Sequence, residues 1–577
     1  MDNDMVNVTI DGRKVSVHKS ASVLNAANKA GAKVPTLCYH PELRPEGACR
    51  VCVVEVEGSR TLVASCVYPV SEGMIVRTNT DAVRHARRSV VELMLANHPP
   101  DCLVCVRNKN CELQKVAAEL GLREIRFDGE KKKHPLDANN PSLVRDNEKC
   151  ILCGRCVRVC SERQGVHVYS FTRRGFGTVV SPAFDAGLDE AACTYCGQCS
   201  VVCPTAAITE KDDAEAVWKA ISDPTKHVII QTAPSVRVAL GETQGLAPGA
   251  IVTGKMVAAL RRMGFDKVFD TNFSADLTIM EEGSEFIHRL KNGGKLPMVT
   301  SCSPGWVNLA EMFYPDLLEH LSTAKSPQQM FGAVAKTYYA EKSGIDPKNI
   351  VSVSAMPCTA KKAEAVRPQM RSSGYQDVDI VITTRELGRM IKEAGIDFAQ
   401  IEEEEFDAPM GIGSGAGAIF GATGGVMEAA LRTAYELLTG EELKNLDFND
   451  VRGLKGLKEA SVNIAGVEVK VAVVNTLGEA RQMMERVRAK EAPYHFIEIM
   501  ACPGGCISGG GQPAPVDGEI RMKRQASIYE IDRCSAVRKS HENPAVKTLY
   551  AEWLGQPLGE KAHKLLHTHY HAQHRGI

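Results

Sequence analysis

The chain lacks an excess of charge of either sign: 69 lysines and arginines face 70 aspartates and glutamates, a formal net charge of −1 over 577 residues. Such a balance offers no electrostatic handle for nucleic acid or an anionic membrane surface. It also lacks any apolar run near the ~18 residues that argue for a membrane span. The opening MDNDMVNVTIDG is acidic and polar, with no secretory or basic transit pattern, so a cytoplasmic location is expected. No G-x-G-x-x-G fingerprint stands at a strand–helix junction, so nicotinamide or flavin chemistry would require another subunit. The length allows roughly four domains. What the chain has in abundance is cysteine, 20 in all. Without an export signal, that number points to metal ligation rather than a disulfide scaffold.

Cysteine has its own gap. Fifteen lie within the first 203 residues, none between 204 and 301, and five follow at 302, 358, 502, 506 and 534. A cysteine-dense front and a sparse back imply two machines in one chain. The joint is expected in ITEKDDAEAVWKAISDPTKH, residues 208–227, a polar helical stretch ending in a proline turn. The whole reads as a multi-domain α/β protein with units at 1–80, 81–140, 141–208 and 209–577.

In the first unit, VNVTIDGRKVSV alternates like two strands around an Asp-Gly turn, and SVLNAANKAG reads as a helix with a serine start and a glycine stop. Cys38, Cys49, Cys52 and Cys66 follow. Together these resemble the β-grasp of plant-type ferredoxins with altered spacing, and four thiolates suit a 2Fe–2S cluster. A zinc loop would need two compact pairs, and only Cys49/Cys52 supplies one. His98, Cys102, Cys105 and Cys111 could hold zinc or a 4Fe–4S cluster; their place between two iron–sulfur units favours iron. The third unit is a repeat: Cys150, Cys153, Cys156 and Cys160 form C-x2-C-x2-C-x3-C, and Cys193, Cys196, Cys199 and Cys203 repeat it. This is the pattern of two-cluster bacterial ferredoxins, in which the fourth cysteine of each run crosses to the other cluster. Cys150, Cys153, Cys156 and Cys203 should share one 4Fe–4S cluster, and Cys193, Cys196, Cys199 and Cys160 the second. The front half is an electron wire.

Beyond residue 228, the runs HVIIQ, KLPMV, NIVSVSA, VDIVIT, VAVVN and HFIEIM read as buried strands. SPGWVNLAEMF, RELGRMIKEAG and GEARQMMERVRAK read as helices between them. That alternation implies largely parallel sheets, whose ligands bind beyond the carboxyl ends of the strands. Three cysteine segments fall there: TSCSPGW, MPCTAKKAEA and MACPGGCISGGGQP. A lone cysteine after a strand is usually a small buried hydrophobe. Three together, behind an electron wire, mark its terminus.

These loops resemble the signature loops of iron-only (FeFe) hydrogenases, and the resemblance extends over nearly the whole chain. It implies reversible H2 oxidation and proton reduction at an H-cluster, a 4Fe–4S cubane joined to a two-iron centre carrying CO, cyanide and a bridging dithiolate. With it go one 2Fe–2S and three accessory 4Fe–4S clusters. By the same resemblance Cys358, Cys502 and Cys506 are cubane ligands, with Cys506 bridging. Lys361 donates to a cyanide, an ammonium beside an anion, while Lys362 is expected to face solvent. Ala233, Pro234, Ser235, Gln328, Met356, Phe420 and Met500 line the pocket. A proton route runs through Cys302, Glu282, Ser322 and Glu285 to Arg289. Glu282 and Glu285 share a helix face by spacing, which alone fits a solvated acidic face equally well.

One position departs from the family. Its first loop ordinarily carries two adjacent cysteines, a proton relay and then a cubane ligand; here Cys302 is followed by Ser303. Ser303 as an oxygen ligand keeps the loop register. Alternatively, Cys302 becomes the fourth thiolate and the relay is lost, or the cluster is incomplete. Softness favours thiolate over alkoxide. An electron-transfer subunit or a sensory relative is the rival reading, since the front 205 residues also resemble the iron–sulfur front end of NADH and formate dehydrogenase subunits. Those would lack the three loops. Expected partners are H2 and protons, ferredoxin, and NAD(P)H-linked flavin or iron–sulfur subunits. The histidines of HTHYHAQH, 567–574, read as a mobile or docking tail, and Cys534 as a free thiol.

Overall fold

A computed structural model describes residues 4–464 and 466–576. At the front, Met5–Ile10 and Arg13–His18 pair antiparallel about Asp11 and Gly12, both at positive φ as a tight hairpin requires. They form one edge of a five-stranded sheet with Ile75–Arg77, Val53–Val56 and Val63–Ala64. The helix Val23–Lys29 starts on a capping box between Ser22 and Asn25 and buries Val23, Leu24, Ala26 and Ala27 against the sheet. The helices Asp81–Asn97 and Glu112–Glu119 flank the next cysteine loop. The repeat that follows is closed by Leu143–Arg145 pairing antiparallel with Ile208–Glu210.

The back half contains two four-stranded sheets. In the first, Lys267–Asp270, His227–Thr232, Ile350–Met356 and Ile380–Thr383 run parallel. In the second, Met298–Val299, Phe496–Met500 and Val467–Asn475 run parallel, and Leu457–Ile464 adds an antiparallel edge. The six apolar runs read from the sequence are all strands. Two strands were not read. Lys267–Asp270 has two apolar residues between charged ones, and Leu457–Ile464 alternates as a half-exposed edge does. The helices Pro304–Phe313, Thr384–Glu393 and Leu477–Arg488 lie where expected. The long helix Thr271–Asn292 contributes Ala275, Ile279 and Phe286 to one core and Phe273 and Leu277 to another, so it is buried along most of its length.

The joint at 208–227 is welded rather than a loose connector. The Glu210 carboxylate is buried and receives Arg385 at 2.6 Å and Arg389 at 2.9 Å; despite burial, those guanidiniums hold its pKa well below the usual range. The helix Ala214–Ser222 packs Ala214 and Val217 into the core of the first sheet. Lys362, expected to face solvent, is 3% exposed and tied to Asp213 at 2.6 Å and Glu386 at 2.9 Å. Its length and flexible stem let it pin the joint from inside.

Candidate active site with its electron and proton routes

The cysteines fall into groups. Cys38, Cys49, Cys52 and Cys66 are all buried, and the amides of Cys38 and Cys49 point at each other's sulfur at 3.4 and 3.5 Å. In the repeat, Leu152 and Tyr195 occupy equivalent positions and both take positive φ. Each donates its amide to the sulfur two residues before it, Cys150 or Cys193, at 3.4 Å. A non-glycine residue in that region is uncommon and is held by its surroundings. The sequence repeat is thus a repeat of the same amide-to-sulfur turn. Cys150, Cys153, Cys156 and Cys203 line one small cavity, and Cys160, Cys193, Cys196 and Cys199 line another. The crossing of the fourth cysteine is visible in the packing. Cys102 and Cys105 lie beside Cys111, whose thiol is pushed up by burial first and then by theirs, and His98 caps the end of Asp81–Asn97. Four thiols in the first group and in each ferredoxin set suit iron–sulfur ligation, and three stand together in the Cys102–Cys111 loop.

These groups connect through packing. Cys38, Cys49, Cys111 and Cys153 share one apolar cluster. The two ferredoxin runs share a second that reaches Cys358. A third contains Cys160, Cys196 and Cys502. The contact at the far end is close. A side chain at Gly510 would meet the Cys196 carbonyl oxygen at 2.4 Å, so only glycine lets the third loop lie on the ferredoxin run.

The three loops leave the carboxyl ends of Met298–Val299, Ile350–Met356 and Phe496–Met500 and line one common cavity. Cys358, Cys502 and Cys506 line it, as do Cys302, Ser303, Lys361 and, from the front half, Cys196. Ala233, Pro234, Ser235, Gln328, Met356, Phe420 and Met500 complete the wall. Every pocket residue singled out in the sequence is present here. Five cysteine thiols, one ammonium and an apolar wall fit a sulfur-held iron group with anionic ligands.

The two residues of the departure, both in the cavity wall, have different surroundings. Cys302 lies on the side of Glu282 and Lys361: burial and the Glu282 charge push its thiol up, and the Lys361 ammonium opposes them. The Ser303 hydroxyl oxygen accepts the Ala501 amide at 3.2 Å, beside Cys502. Lys361 donates to the Cys302 carbonyl at 3.1 Å and to Glu364 at 2.8 Å. Glu364 also accepts from Ser326 at 2.9 Å and Gln328 at 3.1 Å. Sequence reasoning missed Glu364. The signal was its place three residues after Lys361 on a helix, which puts the two on one face.

Glu282 and Glu285 are buried, so the solvated-face reading does not hold. Glu282 is 1% exposed, neither of its oxygens has a regular hydrogen bond, and burial together with the Glu285 charge pushes it up to about 8. Ser322 donates to Glu285 at 2.9 Å, and Arg289, toward the surface, donates to Glu285 at 2.6 Å. The histidine tail is tied to the body of the chain at several points, while His569, His571 and His574 stay exposed. Its His567 is buried against Glu281 at 3.0 Å, the Gln573 amide donates to the Glu311 backbone carbonyl at 2.9 Å, and Arg575 reaches Tyr195 at 2.5 Å. The acidic partner Glu281 is 286 residues distant, beyond the reach of a local pattern. Cys534 is an exposed thiol.

Comparison with known proteins agrees in order and extent. Residues 226–510 match the iron only hydrogenase large subunit, C-terminal domain, and 518–573 the iron hydrogenase small subunit. Upstream, 3–81 match a 2Fe–2S iron–sulfur cluster binding domain, 87–126 the iron–sulfur binding region of NADH-ubiquinone oxidoreductase-G, and 149–207 a 4Fe–4S dicluster domain. The chain is 52% identical to the NADP-reducing hydrogenase subunit HndD of Solidesulfovibrio fructosivorans, over 99% of this chain and 100% of that one. It is 44% identical to iron hydrogenase 1 of Clostridium pasteurianum, over 98% and 100%. Among solved structures, an apo variant of FeFe-hydrogenase HydA1 from Chlamydomonas reinhardtii aligns with a TM-score of 0.57 at 49% identity, covering 63% of this chain and 99% of that one. Among the described residues, no helix is long and apolar enough to cross a membrane.

Proposed function

The chain belongs to the iron-only hydrogenases, and from that premise we propose that it is the hydrogen-converting subunit of an NADP-linked assembly, exchanging electrons with its partners through the front-half clusters. Its kinship with HndD supports the nicotinamide partner; ferredoxin is the second electron partner in this reading. The observation that carries the proposal is the single buried cavity on which Cys358, Cys502, Cys506, Cys302 and Lys361 converge, with Cys196 of the electron route in its wall. Once bound there, a four-iron cluster joined to a two-iron group supplies the centre where two protons and two electrons are exchanged with H2.

The chain's own residues hold and feed that centre. Cys358, Cys502 and Cys506 would be its thiolate ligands, and Ser303 would be the fourth, its oxygen lying at the Ala501 amide beside Cys502. Lys361, held by Glu364, would offer its ammonium to an anionic ligand of that group. The apolar wall excludes water, which strengthens that attraction. Cys302 hands protons to and from Glu282, whose raised pKa keeps it a proton carrier near neutral pH. Ser322 and Glu285 continue the route, and Arg289 holds Glu285 at its outer end.

Two measurements test this. Anaerobic H2 assay after full maturation should give turnover in both directions; an inactive enzyme with complete two-iron occupancy rejects the reading. Cys302→Ala should keep the pocket iron and its carbonyl and cyanide infrared bands while losing at least a hundredfold in rate, on the scale of a lost proton-transfer group. Pocket iron lost in Cys302→Ala but kept in Ser303→Ala would make Cys302 the ligand.

A further inference from the structure

Two buried ionisable side chains beside the proton route are not used by it: Glu281 and His567. Glu281 precedes Glu282 on the helix Thr271–Asn292 and is fully buried. Its carboxylate is held from the C-terminal segment by the Tyr550 hydroxyl, the Leu558 amide at 2.9 Å and His567 Nε2 at 3.0 Å. The other ring nitrogen of His567 lies 2.8 Å from the Thr323 hydroxyl. Thr323 follows Ser322, and its amide donates to both oxygens of Glu285, at 3.0 and 3.3 Å. Backbone bonds reinforce the strap: Thr568 donates to the Thr323 carbonyl and Lys325 to that of Leu566, both at 2.8 Å. On its other side, Ser322 donates its amide to the Val299 carbonyl at 2.8 Å, next to the first cysteine loop. The segment that carries the relay hydroxyl is therefore laced between that loop and the end of the chain.

We propose that His567 is a positioning residue for the proton route: by tying Thr323 to Glu281 it fixes the Ser322 hydroxyl and the Glu285 carboxylate at transfer distance. It touches no reacting atom. Transfer between such groups requires about 2.6–3.2 Å, and a displacement near 1 Å costs on the order of a hundredfold in rate. Besides Glu281, the groups facing His567 are His563, stacked on it at 4.9 Å, the Tyr550 hydroxyl across Glu281, and Glu285 beyond Thr323.

The test uses the matured enzyme with His567→Ala, His567→Gln and Thr323→Val. His567→Ala should lose at least tenfold in H2 evolution, and its solvent deuterium isotope effect should rise. The rate at which the accessory clusters accept electrons should stay unchanged. His567→Gln, which retains a donor and an acceptor, should recover most of the loss. Thr323→Val keeps the amide to Glu285 and removes only the hydroxyl, and should reproduce the rise in isotope effect. A readout independent of turnover is the carboxyl stretch of the buried glutamates in infrared difference spectra, which should shift in His567→Ala and Thr323→Val. A wild-type isotope effect and carboxyl band in Thr323→Val would overturn the proposal even if His567→Ala fails to fold. So would losses that merely follow cluster content. The inference rests on the proton route above: full turnover in Glu282→Gln would remove that route. An inactive Glu282→Gln beside an unaltered Thr323→Val would remove only the role of His567.

Discussion

Replacing Glu282 by Gln should make the protein more stable and nearly inactive at the same time. The buried carboxyl is raised from an ordinary 4.5 to about 8, with burial as the main cause. Because the folded-state value is the higher one, its contribution to stability is complete below pH 4.5. It falls as the unfolded chain ionises and levels off above pH 8, where the folded form ionises too. Holding the group neutral at pH 7 forgoes about 3 kcal/mol that the unfolded chain gains, taking about 1.4 kcal/mol per pH unit. Gln has nearly the shape of the neutral acid and ionises in neither state, so the variant escapes that loss. Melting curves of both proteins at one scan rate, from pH 4.5 to 8.5, should diverge as pH rises, the variant melting higher. H2 evolution should drop by about 10² to 10⁴, the scale of a lost acid–base group. A variant that melts at or below the wild-type temperature across the range would refute the reasoning, because Glu282 would then be ionised in the fold.

Other substitutions probe the remaining contacts. Lys361→Met leaves the buried Glu364 with neutral donors alone, and should cost about 3 kcal/mol in chemical denaturation. Adding Glu364→Gln should restore stability but not infrared-detected retention of the two-iron group; restored retention would show that Lys361 does not hold it. Arg385→Ala leaves Glu210 with Arg389 alone, so the welded joint should weaken by about 3 kcal/mol and internal electron transfer slow in rapid-mixing experiments. His98→Cys puts a thiolate where the imidazole is the proposed ligand and should lower that cluster's potential in a redox titration followed by paramagnetic resonance. An unchanged potential would place His98 outside the ligand set.

What could be read from the sequence was whatever local geometry dictates. The crossing of Cys203 and Cys160 between the two runs could be read because C-x2-C-x2-C-x3-C, twice over, is the pattern of two-cluster ferredoxins. The six strands were legible because each is an apolar run buried on both faces. The edge strand Leu457–Ile464 was not, since half of it meets water and its pattern merges with a loop. Lys361 could be placed by its motif, whereas nothing local told that Lys362 also turns inward. Its partners Asp213 and Glu386 lie on other elements. The pairing of Glu210 with Arg385 spans 175 residues, and His567 with Glu281 spans 286. Such pairings are properties of the packed fold, and no window along the chain contains both members.

The apolar cluster shared by Cys38, Cys49, Cys111 and Cys153 has a consequence for supply. Two tributaries, from the 2Fe–2S loop and the histidine-bearing loop, meet at one confluence before a single channel continues inward. A donor able to reach only one bank is still in circuit, and silencing either branch should throttle the current without stopping it.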